Sequence, residues 1–150
     1  MDTNVISAVA PASRNRQEAI AAWLDRMSDS LYLSVITAAE IRDGIAKAAR
    51  EGASRKAADL TVWWDTVEHL YGVRILPFDL RAATIAGGFL DQARAAGRGP
   101  GLADVAIAAI AEARQLTILT RNTRDFLPFG VTVLDPFQAL PPMVESRPDL

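Results

Sequence analysis

The chain has 150 residues, 50% of them hydrophobic, and a formal net charge of −2. A sequence of one domain's length with that apolar fraction can build a full core, which excludes global disorder. The near-neutral balance excludes a non-specific, strongly basic nucleic-acid binder, and the lack of cysteine removes disulfides and thiolate metal sites.

Asp2 to Val9 carries the end of a strand and a first helix. Gln17 to Met27 places Ile20, Trp23, Leu24 and Met27 at helical spacing. Leu31 to Ser34 reads as a short strand. A helix is predicted from Thr37 to Arg50, ended by Gly52. Ser54 is placed as the cap of a longer helix that stops at Gly72. Val73 to Leu76 is a strand closed by Pro77, and Asp79 caps a helix to about Ala96. A glycine-rich loop, Gly97 to Gly101, leads into a helix from Leu102 to about Arg114. Leu116 to Leu119 and Val131 to Leu134 are strands, and Pro136, Pro141 and Pro142 close the domain.

Short apolar strands alternating with helices predict a single α/β domain over residues 1–150, with a parallel sheet covered by helices on both faces. Ligand sites in such folds lie beyond the carboxyl ends of the strands. Neither a signal peptide nor an apolar run of membrane-spanning length is visible, so a soluble cytoplasmic protein with no membrane partner is expected. Of the 16 basic residues only Lys47 and Lys56 are lysines. An arginine excess suits phosphate recognition, and a GC-biased coding sequence produces it equally. The single histidine, His69, falls on an exposed stretch of helix, so a serine triad and a multi-histidine zinc site have little support.

Asp104 is the most informative residue. It is the only charge between Arg98 and Glu112, inside a helix that is apolar nearly all round and therefore buried. A buried carboxylate is costly unless its charge is compensated. Gly101, Ile107 and Ala108, its neighbours on the same face, offer nothing. The compensation comes from elsewhere in the fold or from a bound cation.

Asp2, Glu40 and the segment Thr120 to Phe126 fall at strand ends or helix starts and can converge with Asp104 on one sheet edge. Each has a structural alternative. Glu40 stands three residues after Thr37, the spacing of a capping box. Asp2 is a terminal charge, and Asn122 and Asp125 are common turn residues. Converging carboxylates repel one another unless a cation is present. Mg²⁺ binds through one or two carboxylates plus substrate phosphates, which suits phosphodiester hydrolysis without a histidine.

The segment Asp-Thr-Asn-Val-Ile-Ser at the start resembles the opening of PIN-domain ribonucleases. Tyr-Leu-Ser-Val-Ile-Thr-Ala-Ala-Glu-Ile-Arg-Asp-Gly-Ile resembles their second motif. Leu-Ala-Asp-Val-Ala-Ile-Ala-Ala-Ile-Ala resembles the third, and Leu-Thr-Ile-Leu-Thr-Arg-Asn-Thr-Arg-Asp-Phe the fourth. Order and spacing fit from Asp2 to about Phe137, and the pattern resembles in particular the VapC-type toxins and their FitB-like branch. The resemblance implies a three-layer α/β/α sandwich on a central parallel sheet and an endoribonuclease dependent on Mg²⁺ or Mn²⁺. It also implies inhibition by a cognate VapB-like antitoxin. By motif match Asp2, Glu40 and Asp104 are the catalytic acids, with Asp2 and Asp104 on the metal. Asn122 stands where many relatives carry a fourth acid and is counted with the catalytic residues. Thr3, Asn4, Thr120 and Asp125 stand as supporting residues.

Only Met1 precedes Asp2, whereas a strand needs roughly 4–6 residues to pair well. Either the first strand is a stub or the start is assigned too late. Two rival readings remain: an aspartate-dependent phosphohydrolase or receiver, and a non-catalytic interaction domain. The first wants a second acid at Asn4 or a late lysine. The second draws on the stripe Leu60, Trp63, Trp64, Val67, Leu70 and Tyr71, which is either core packing or an interface. A homodimer is expected, with Trp63 and Trp64 as candidate groove or dimer residues and one of the two in the core.

Overall fold

The computed structural model describes residues 1–11 and 17–142. Its helices are α1 (Thr3–Ser7), α2 (Glu18–Arg26), α3 (Val35–Arg50), α4 (Ser54–Tyr71), α5 (Leu80–Ala95), α6 (Leu102–Ala113) and α7 (Thr123–Phe126). Its strands are β1 (Leu33–Ser34), β2 (Ile75–Leu76), β3 (Ile118–Leu119) and β4 (Val133–Leu134).

The helices form where apolar spacing and caps agree. α2 buries Ile20, Trp23 and Leu24, with Met27 just beyond its end. α5 is capped by Asp79, whose carboxylate accepts from the Ala82 amide at 3.0 Å. α6 is buried without interruption from Val105 to Ala111, as its composition requires. The aromatic stripe of α4 divides. Trp64, Val67 and Tyr71 are buried, Leu60 and Trp63 are half-buried, and Leu70 is 64% exposed. Trp64 is thus the core tryptophan, and its indole donates to Glu68 at 2.6 Å. His69 is exposed. Among the described residues no helix is long and apolar enough to cross a membrane.

Two helix starts differ from the sequence expectation. α3 begins at Val35, and Ser34 is its N-cap, its hydroxyl accepting from the Thr37 amide at 3.0 Å. Thr37 therefore sits inside the first turn, and Glu40 has no capping duty. α4 begins at Ser54 itself, with Ala53 in the cap position and no side-chain cap.

All strand pairing is parallel. β1 pairs with β2 in the register Leu33↔Ile75, and β3 with β4 in the register Ile118↔Val133. The strands are two residues long and form two separate two-stranded sheets rather than one continuous sheet. Residues 1 and 2 lie between them. The Met1 ammonium donates to the Tyr32 carbonyl at 2.6 Å, and the Asp2 amide donates to the Leu119 carbonyl at 2.9 Å. Met1 and Asp2 thus tie the two sheets together with one backbone hydrogen bond each.

The strand layer separates two apolar clusters. Leu33 and Leu119 join Val5, Ile20, Trp23, Trp64 and Val67 on one face. Leu76 and Ile118 join α5, α6, Phe126 and Phe129 on the other. Neighbouring residues Ile118 and Leu119 thus point to opposite faces, as the pleat demands. The result is the α/β/α layering expected from the sequence.

Candidate carboxylate site

The carboxyl ends of β1 and β3 open on the same edge, and the buried polar side chains collect there. Among the described residues these are Asp2, Ser34, Thr37 and Thr120. Ser34 and Thr37 share a hydroxyl hydrogen bond of 3.0 Å, and Thr37 donates to the Met1 carbonyl at 3.3 Å. This fixes the start of α3 against the chain terminus.

Asp2 is the most heavily held carboxylate. Its Oδ1 accepts from the Thr3 amide at 2.7 Å. Its Oδ2 accepts from Asn4 Nδ2 at 2.7 Å and from the Thr120 hydroxyl at 2.7 Å. A carboxylate offers about four acceptor positions, so one position on Oδ1 stays available. Thr120 is completely buried and also accepts the Asn122 amide at 3.0 Å. Asn4 Oδ1 in turn accepts the Arg121 amide at 3.0 Å. One short segment, residues 2 to 4, therefore orients the turn after β3.

Glu40 lies on an exposed part of α3 and accepts a hydrogen bond from the Thr3 hydroxyl. Thr3 thus couples two acids, because it is the residue next to Asp2. Asp104 sits in the first turn of α6, half-buried. Among the described residues it has no ion pair with an arginine or lysine. Burial raises its pKa above the usual carboxylate value, and the charges of Asp125, Asp2 and Glu40 raise it further, in that order. Three of the acids named from the sequence therefore act on Asp104 through space. Gly101 makes room for this carboxylate: a Cβ there would lie 3.2 Å from Asp104 Oδ2.

Asn122 and Asp125 meet the cluster in different ways. Asn122 occupies the N-cap position of α7 without a side-chain capping bond, and it meets the cluster through its backbone amide. Asp125, one turn on, acts on Asp104 more strongly than Asp2 or Glu40 does. Charge reaches the cluster from Asp125 rather than from Asn122. The sequence reading missed two participants. Arg121 places its guanidinium 3.7 Å from the centre of the Phe137 ring, a contact that no local pattern announces. Met1 has an ammonium whose pKa burial lowers from 8.0 to about 6, against the opposing pull of Asp2.

The donor set fits a hard divalent cation. It is all oxygen, and among the described residues no arginine or lysine pairs with Asp104, whose charge the other acids oppose. Among the described residues no group of three or more acidic or histidine side chains is gathered closely enough to hold an ion by itself. Mg²⁺ is commonly held by one or two carboxylates, with water and substrate phosphate in the remaining positions.

Comparison with known proteins places this arrangement. Residues 1–128 match the PIN domain family profile. The VapC ribonuclease Y4jK of Sinorhizobium fredii is 38% identical over 139 residues, covering 92% of this chain and 96% of that protein. The toxin FitB of Neisseria gonorrhoeae is 36% identical over 138 residues, covering 91% and 96%. The crystal structure of FitAcB from Neisseria gonorrhoeae superposes with a TM-score of 0.79 at 36% identity, covering 91% of this chain and 96% of that one. With two thirds of its length exceeded in each comparison, the chain belongs to the PIN domain family.

Proposed function

We propose that the protein is a metal-dependent endoribonuclease and the toxin of a toxin–antitoxin pair. The observation that carries this reading is Asp104, a half-buried carboxylate opposed by Asp125, Asp2 and Glu40 and answered by no protein cation among the described residues. Relatives named as a ribonuclease and as a toxin, at 36–38% identity over nearly the whole chain, support the same reading.

Asp2 and Asp104 would hold Mg²⁺ or Mn²⁺. When bound, such an ion supplies an acidified water and charge stabilisation at the leaving oxygen. Thr3, Asn4 and Thr120 keep the Asp2 carboxylate in one orientation, so no reorganisation is needed when RNA arrives. Glu40, held by Thr3 at the exposed edge, is placed to accept a proton from the attacking water. Asn122 supports the turn through Thr120, and Asp125 supplies the fourth charge. The cytoplasm is the compartment in which this reading places the protein, and a homodimer its working form.

A free ribonuclease harms its host, so a small antitoxin partner is part of the reading. An antitoxin arginine would take the cation's place among Asp2, Glu40 and Asp104 through charge-assisted hydrogen bonds. Single-stranded RNA incubated with purified protein and Mn²⁺ tests the proposal. Cleavage that disappears with chelator, with Asp104→Asn and with added antitoxin is expected. Cleavage indifferent to both chelator and Asp104→Asn overturns it. Within the site, Asp125→Ala is expected to lower cleavage more than Asn122→Ala does, and the reverse ranking returns the fourth position to Asn122.

A further inference from the structure

An RNA strand carries a negative charge at every phosphate, and the carboxylates of the site repel it. A bound cation offsets that repulsion at the phosphate under attack, and the flanking phosphates are left to the protein. One arginine stands beside the acids in the chain without pairing with them. Arg121 is exposed and follows Thr120, whose hydroxyl donates to Asp2 Oδ2 at 2.7 Å. The Arg121 amide donates to Asn4 Oδ1 at 3.0 Å, and Asn4 Nδ2 donates to the same Asp2 oxygen at 2.7 Å. Its backbone is thus tied to the Asp2 carboxylate through two side chains.

The guanidinium is held by a ring and not by an acid. Its Cζ lies 3.7 Å from the centre of the Phe137 ring, too close for an edge-on N–H contact, so the group lies flat over the ring face. Among the described residues it makes no ion pair and no hydrogen bond. Phe137 is itself fixed. Its amide donates to Asp135 Oδ1 at 2.9 Å, and its ring packs against the apolar cluster that contains Trp23 and Leu33. Stacking occupies the face of the guanidinium and leaves its edge free. That edge is a planar fork of N–H donors, the geometry that matches phosphate oxygens. A free surface arginine loses rotamer freedom when it binds, whereas Arg121 is already confined.

We propose that Arg121 binds an RNA phosphate next to the one under attack, and that Phe137 is the positioning residue that presents its donor edge. The inference rests on the nuclease reading and adds a substrate contact to it. The competing account is mechanical: the same stack would merely clasp residues 135–142 to the turn after β3. The two differ in their response to salt, because only a contact with phosphate releases counterions.

The test follows a short fluorescent single-stranded RNA by anisotropy across a salt series, in Asp104→Asn protein so that the RNA stays intact. Arg121→Gln is expected to weaken binding about tenfold at low salt and to lower the slope of log affinity against log salt by about 0.7, the share of one phosphate on a single strand. Arg121→Lys keeps the charge and the slope but loses the fork, and should bind about threefold more weakly. Phe137→Leu should also keep the slope and cost about threefold, because the arginine must then be ordered on binding. With Asp104 restored and Mn²⁺ present, Arg121→Gln should raise KM about tenfold and leave kcat near that of the unchanged protein. Three results overturn the proposal: no RNA binding with Arg121 in place, unchanged affinity and slope in Arg121→Gln, or weaker binding with an unchanged slope and a melting temperature lowered by about 5 °C or more. The last makes the stack a clasp. If Arg121→Gln does not fold, Arg121→Lys decides, and an unchanged affinity there overturns the contact. RNA bound through Arg121 but never cleaved with Mn²⁺ ends the nuclease reading and keeps the contact, whereas cleavage with an unchanged KM in Arg121→Gln does the reverse.

Discussion

At the carboxyl ends of β1 and β3, every buried side-chain polar atom among the described residues has a partner, whereas the same two strands line an apolar cavity of about 390 Å³ a residue or two earlier. The difference follows from what each end requires. A buried carboxylate left without donors is expensive, so Asp2 draws in Thr3, Asn4 and Thr120 from two ends of the sequence. An apolar cavity loses only contacts, a cost spread over many side chains.

Substitutions at the two ends are expected to separate activity from stability. Asp104→Asn should reduce RNA cleavage well beyond the roughly 10–100-fold typical of outer partners, yet keep or raise the melting temperature without metal. The sign follows from its raised pKa: the folded state disfavours the charged form, so removing the charge relieves the fold. A large loss of stability would show that Asp104 is a structural ion and break the comparison. Thr120→Val should lower cleavage by roughly 10–100-fold and cost about 1–3 kcal/mol, because Asp2 loses a donor and the Asn122 amide loses its acceptor. Unchanged cleavage would mean that Asp2 is oriented without it.

The hollow end should respond weakly to the same kind of deletion. Phe126→Ala, in the filled cluster beside α6, is expected to cost about 3–5 kcal/mol, whereas Met27→Ala, on the cavity wall, should cost about 2 kcal/mol or less. Denaturant titration of both variants measures the difference, and equal losses would mean that Met27 is packed as tightly as Phe126. The smallest effect concerns pH. The Met1 amine has a pKa of about 6 in the folded chain against 8.0 ordinarily. The unfolded chain thus binds more protons between these values, and stability rises with pH across them. The contribution is complete above pH 8 and lost as pH falls through 6. N-terminal acetylation should flatten that slope in the melting temperature, and a slope unaffected by acetylation assigns it to another group.

Much of this was legible in the sequence. Asp104 announced itself as a charge with no local partner, and α5 followed from Asp79 and apolar spacing. The start of α3 was ambiguous because Ser34 and Thr37 are both good caps three residues apart, and only the backbone chose Ser34. The strands shrank to two residues because β-pairing depends on the neighbour strand, which a run of apolar residues does not report. The relative weight of Asn122 and Asp125 depends on how one turn of α7 faces α6, a relation between elements distant in sequence. The Arg121–Phe137 contact is illegible for the same reason.

The hydrogen bonds around Asp2 join residues very far apart in the chain: Thr120 to Asp2 across 118 positions, Arg121 to Asn4 across 117 and Asn4 to Thr120 across 116. Chains are made from the amino end at about 5–20 residues per second. Asp2 is synthesised first, and its partner Thr120 follows only after roughly 6–24 seconds at that pace. A nascent chain therefore carries its acids unassembled through most of its own translation. The site is completed only after the turn that follows β3 has been made, which leaves an interval in which a partner can be made before the enzyme is competent.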